Sequence, residues 1–107
     1  MTDRVLEQCR RFNEGVDTGD WTGYLEAFAP DATLRIEGDP DGPYAGRDAI
    51  AAAYAAAPPD DTIVVRSVDS AGDTDVAWFD WSAGGGGSLR LRWEGEQIAE
   101  LVVAFDQ

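Results

Sequence analysis

The sequence predicts an α+β domain with three helices in its first half, packed on a mostly antiparallel sheet. Two observations carry this. Apolar residues recur at spacings of three and four as far as Ala57, and β-rich runs then occupy Thr62 to Phe105, divided by turn residues. Helices gathered early and strands late favour helices on one face of a sheet. A length of 107 residues fits one domain, spanning residues 1–107. Such a domain buries roughly two-thirds of the surface its unfolded chain exposes, enough for one core.

The elements follow in order. Thr2 or Asp3 can cap a first helix, along which Val5, Cys9, Phe12 and Val16 form one apolar stripe. Gly19 ends it and Asp20 caps a second. There Trp21, Tyr24, Leu25 and Phe28 repeat the pattern until Pro30 stops it. Ala32 to Glu37 reads as a strand with Leu34 and Ile36 on one face and Arg35 and Glu37 on the other. The turn-rich run 38–43 leads to a short strand at Tyr44-Ala45. A third helix runs from Arg47 to Ala57, ended by Pro58-Pro59. Strands then cover Thr62 to Val68, Val76 to Ser82, Leu89 to Trp93 and Ile98 to Phe105, with tight hairpins at Gly72 and Gly95. Ala83 to Ser88 reads as a glycine-loaded loop between strands. No helix follows it and no lysine, so it is not a phosphate loop.

Composition excludes several functions. The formal net charge is −13, from 21 acidic and 8 basic residues, a surface that repels phosphate backbones and anionic membranes. Neither nucleic acid nor a membrane is an expected partner. The single cysteine, Cys9, allows no internal disulfide, and on the apolar stripe it reads as a buried, inert thiol. The charged start MTDRVLEQCRRF has no signal-peptide core, and no apolar run approaches the ~20 residues that span a bilayer, so the expected location is the cytoplasm. Histidine is absent, which removes the commonest general base and transition-metal ligand. No metal or other cofactor is expected.

Three segments, Gly19-Asp20-Trp21 through Thr33, Tyr44-Ala45-Gly46-Arg47-Asp48-Ala49-Ile50 and Trp93 through Leu101, together resemble the NTF2-like superfamily, and within it the ketosteroid isomerases and SnoaL-like proteins. Gly19-Asp20-Trp21 through Phe28-Ala29-Pro30-Asp31-Ala32-Thr33 resembles that family's opening motif. Tyr44-Ala45-Gly46-Arg47-Asp48-Ala49-Ile50 is similar to its signature at the third helix, and Trp93 through Leu101 to its last hairpin. The resemblance implies a cone-shaped fold, three N-terminal helices on a curved, mostly antiparallel sheet, and an apolar pocket for a small molecule. It also implies a homodimer. Aligned on these motifs, the isomerase's helix-one tyrosine falls on Phe12, its base on Ile36 and its neutral aspartic acid on Leu89. None of these can move a proton or donate a hydrogen bond.

Two readings of the remaining candidates stay open. Asp39, in Gly38-Asp39-Pro40, is either an ordinary turn acid or, after a slip in the first strand, a catalytic base serving an isomerase or cyclase. The aromatic residues are either core or pocket wall. The expected pocket set is Phe12, Tyr24, Phe28, Ile36, Tyr54, Trp78, Leu89, Leu91 and Trp93. In the strand 76–82, Val76, Trp78 and Asp80 share one face and Ala77, Phe79 and Trp81 the other. Apolar residues on both faces imply that both are at least partly covered. Phe79 and Trp81, with Arg90 and Arg92, are assigned to the face that meets a second copy. Binding of an unidentified apolar molecule, without isomerase chemistry, is the leading functional expectation. An enzyme on a small carbonyl compound and a protein-interaction domain are the alternatives.

Overall fold

A computed structural model describes residues 2–105. Its elements are α1 (Thr2–Thr18), α2 (Thr22–Glu26), β1 (Phe28–Ile36), β2 (Tyr44–Ala45), α3 (Arg47–Ala56), β3 (Ile63–Ala71), β4 (Thr74–Trp81), β5 (Gly86–Glu94) and β6 (Gln97–Phe105). The strands form one six-stranded sheet in the order β2-β1-β6-β5-β4-β3. Only β1 and β6 run parallel; β3 to β6 is an antiparallel meander, as their short connections require. The helices cover one face, α1 against β3 and β4 and α3 against β1 and β2.

The helical stripe of α1 is the one expected. Val5, Cys9 and Phe12 are buried and Val16 packs beside them, while Arg10 pairs outward with Glu7 and Glu14. Gly19 closes the helix at φ 79°, and its N–H donates to the Gly15 carbonyl at 2.8 Å. A Cβ on Gly15 would run into the Trp21 indole, which lies directly on that glycine. Trp21 is the N-cap residue of α2, and the Asp20 carboxylate accepts the Thr22 N–H at 3.0 Å.

Several boundaries differ from the sequence reading, among them the longer β3, which runs to Ala71, and β4, which starts at Thr74. The second helix stops at Glu26, and Phe28 already belongs to β1, so Pro30 lies inside a strand rather than ending a helix. The strand tolerates it through a large bulge. Phe28 opposes Ile98 and Thr33 opposes Glu100, so the intervening β1 residues leave the ladder, and the N–H that Pro30 lacks is not needed there. Arg47 braces the bulge, its guanidinium donating to the Phe28 carbonyl at 2.7 and 3.0 Å. The arginine of the third-helix motif thus has a structural task. The glycine loop is also shorter than expected. β5 begins at Gly86, and Gly87 is buried where a Cβ would strike the Ala104 carbonyl.

The alternation along the strands was read correctly, but the assignment of faces in β4 was not. Ala77 and Phe79 are buried against the helices and Trp81 packs with them. Trp78 and Val76 are half-buried on the opposite, outer face, where Ser67 and Ser88 flank Trp78. Phe79 and Trp81 are therefore not on the face available to a second copy. Both faces carry apolar residues, and periodicity alone gives no means to choose between them.

Candidate functional site

The wall of a partly open cavity is assembled from every layer of the fold. α1 supplies Phe12, α2 Tyr24 and α3 Tyr54, each from the apolar stripe of its helix. The inner face of the sheet supplies Ile36 from β1, Ile63 from β3, Phe79 and Trp81 from β4, Leu89 from β5, and Val103 and Phe105 from β6; Pro59 closes the side after α3. The enclosed volume is about 90 Å³. Phe12, Tyr24, Tyr54 and Phe79 are buried and form its floor; Phe105, 42% exposed, and the half-buried Trp81 stand at the rim. These two rings stack, with centroids 6.3 Å apart and planes 23° apart. α1 is fixed over the cavity by Asn13, whose side chain donates to the Ile63 carbonyl at 2.9 Å and accepts the Ile63 N–H at 2.8 Å.

The floor holds one polar feature. The hydroxyls of Tyr24 and Tyr54 lie 2.8 Å apart, brought together from α2 and α3, with the rings edge to face at 5.2 Å. Burial pushes the Tyr54 phenol up to about 12 against the pull of its bond to Tyr24. Burial, reinforced by Tyr54, also raises Tyr24 well above the usual phenol value. Both are neutral phenols near neutral pH. Trp21 stacks on Tyr54 at 4.9 Å and Phe28 meets Tyr24 edge-on at 5.3 Å, which holds the pair in place. Cys9 lies behind this layer, its thiol pushed up to about 11 by burial; it stays protonated and unreactive.

Of the pocket residues expected from sequence, Phe12, Tyr24, Ile36, Tyr54 and Leu89 line this cavity. The positions that the resemblance gives to the isomerase's tyrosine, base and aspartic acid, namely Phe12, Ile36 and Leu89, do converge there, and all three are apolar. Phe28 and Leu91 are buried core behind the wall. Trp78 is on the outer face, and Trp93 lies at the far end of the sheet, under the Arg4 guanidinium at 4.8 Å from its ring centre. Six wall residues lie outside the expected set: Pro59 after α3, Ile63, Val103 and Phe105 from the inner face of the sheet, and Phe79 and Trp81, which follow from the corrected orientation of β4.

Asp39 lies apart from the cavity. One carboxylate oxygen accepts the Asp41 N–H and the other the Tyr44 hydroxyl, both at 2.8 Å, which closes the β1–β2 turn. Tyr44's phenol is raised chiefly by that bond. Among the described residues no carboxylate lines the cavity. The buried acid of the fold is elsewhere: Asp75, fully buried, takes a 2.8 Å ion pair from Arg4.

Comparison with known proteins places this geometry. A family model for the SnoaL-like domain matches residues 9–101. No curated protein matches the chain. Among solved structures, an NTF2-like protein from Anabaena variabilis ATCC 29413 superposes with a TM-score of 0.82 at 18% identity, covering 99% of this chain and 89% of that one. A SnoaL-like protein of unknown function from Burkholderia thailandensis E264 gives 0.81 at 12% identity, covering 100% and 98%. A putative polyketide cyclase from Sinorhizobium meliloti gives 0.71 at 17%, covering 91% and 93%. Identities this low carry the fold alone. The family match extends over most of the chain, from the middle of α1 into β6, and the chain, whose fold is that of the NTF2-like structures, belongs to the SnoaL-like domain family.

Proposed function

We propose that this protein binds a small apolar molecule in the cavity beneath α1, α2 and α3, without ketosteroid isomerase chemistry. The observation that carries this reading is the wall itself: aromatic and aliphatic side chains enclose about 90 Å³ around a single hydroxyl pair. Mostly apolar pockets with a few placed polar groups are the usual form of small-molecule sites. Proton transfer at a carbon needs a base within reach of the substrate. Phe12, Ile36 and Leu89 offer none, and Asp39 is committed to its turn. The alternative, an isomerase or cyclase with Asp39 as base, therefore has less support than binding.

The reading includes a homodimer through the outer sheet face. Val76, Trp78 and Val102 are half-buried there, among Arg35, Arg90 and Arg92. The same face carries Asp69 and Glu100, so in a self-complementary pairing the arginines can meet acidic groups of a second copy. Stable pairs bury about 800 Å² per partner.

Trp81 in the wall gives a direct readout. Titration with toluene is expected to change tryptophan fluorescence saturably, and a Leu89→Trp substitution, which fills the cavity, to abolish the response. Binding that survives the filled cavity would place the ligand elsewhere.

A further inference from the structure

The hydrogen count at the tyrosine pair leaves one donor over. Two phenol hydroxyls carry two hydrogens, and their 2.8 Å contact uses one. The second has no acceptor among the described residues. A buried donor left unmade is costly, more so than a spare lone pair on an oxygen. Apart from the Trp81 indole at the rim, itself a donor, every other side chain on the wall is hydrocarbon. What enters must therefore bring an acceptor. It must also be uncharged, since an anion would lose its hydration in an apolar chamber of an already acidic protein.

Size adds a second limit. A cavity of about 150 Å³ admits benzene. This one encloses about 90 Å³ and widens only at Trp81 and the exposed Phe105. One ring fits with its far edge in the rim, whereas a fused multi-ring skeleton needs the floor itself to part. Floor packing opposes that, because Tyr54 is held between the stacked Trp21 ring and the edge-on Tyr24 ring.

We infer that the cavity takes a compact, uncharged compound of a single ring or short branched chain, whose carbonyl or ether oxygen accepts the spare hydrogen of the Tyr24–Tyr54 pair. This rests on the apolar-binding reading and narrows it to a class of ligand.

The test is an NMR titration of the Trp81 indole N–H with cyclohexanone and with methylenecyclohexane, which has nearly the same shape and no acceptor. The Y24F/Y54F double variant removes both hydroxyls while keeping the rings. Cyclohexanone is expected to bind the double variant about five-fold more weakly than the wild type, the ordinary worth of one neutral hydrogen bond. Methylenecyclohexane is expected to bind both equally. Either single variant keeps one hydroxyl with its own hydrogen, so it retains the cyclohexanone contact. A three-ring ketone, anthrone, is expected to leave the resonance unmoved. Equal behaviour of the two six-membered ligands across the variants would overturn the hydroxyl assignment, and tight anthrone binding would overturn the size limit; both leave apolar binding standing. If none of the ligands binds the wild type, the apolar-binding reading falls as well. Infrared spectra of cyclohexanone on the wild-type protein make the test independent of variant folding. A carbonyl stretch lowered relative to hexane solution supports the contact, and an unshifted band refutes it.

Discussion

Replacing Arg4 by methionine separates charge from packing at the far end of the fold. Arg4 donates to Asp75 at 2.8 Å and lies over the Trp93 ring. Methionine keeps much of the stem's apolar contact but removes the Arg4 guanidinium from the Asp75 carboxylate, which is 0% exposed. Breaking a fully buried pair costs about 3–5 kcal/mol. Because the Arg4 side chain is 27% exposed, solvent screens part of the interaction, and about 2 kcal/mol is the reasonable figure. In a domain of this size that lowers Tm by about 8–16 °C. The pH dependence identifies the cause. Burial alone would raise the Asp75 carboxyl, but hydrogen bonds from Arg4 and Ser70 and the charge of Arg4 outweigh it and hold it below the usual range. Stability from the pair is therefore fully present above the unfolded aspartate value of about 3.9 and is lost as pH falls through the lower folded value. In R4M the hydrogen bond and charge of Arg4 no longer oppose burial, so protonation of Asp75 relieves the variant. Urea denaturation of both proteins should show a difference largest near neutral pH that closes on going below about pH 4. A difference that stays constant across that range would refute the role given to Asp75.

Two further outcomes follow from the site and the outer face. Tyr24→Phe and Tyr54→Phe should each destabilise by about 1–3 kcal/mol, because each strands the other buried hydroxyl, while the double variant should cost clearly less than their sum; additive losses in chemical denaturation would show that the hydroxyls do not interact. Trp78→Glu should convert a dimer to a monomer in sedimentation while leaving the fold intact, since the side chain stands half-buried on the outer face. A protein whose oligomeric state is unchanged would remove that face from the assembly.

Much of this was legible in the sequence because single elements announce themselves. The stripe Val5-Cys9-Phe12, the phase of Leu34 and Ile36, and the glycines at 72 and 95 each reflect a local rule of period or backbone conformation. What was not legible depends on contacts between elements. β4 is apolar on both sides, so its phase was clear but its orientation was not, and Trp78 was exchanged for Phe79 and Trp81. Pro30 looks like a helix stop until the bulge between Phe28 and Thr33, with Arg47 holding it, shows how a strand accommodates it. The hydroxyl pair joins residues 30 apart on different helices, and the Arg4–Asp75 pair joins residues 71 apart. No periodicity reports such meetings.

The central claim is that the apolar chamber beneath the helices accepts a guest. Xenon tests it most directly, because it enters dry apolar cavities of modest size and scatters strongly. A crystal of the protein pressurised with xenon is expected to show a xenon atom bounded by Phe12, Tyr54, Phe79 and Val103. A chamber filled instead by ordered water, or closed by its own side chains with no xenon present, would contradict the account.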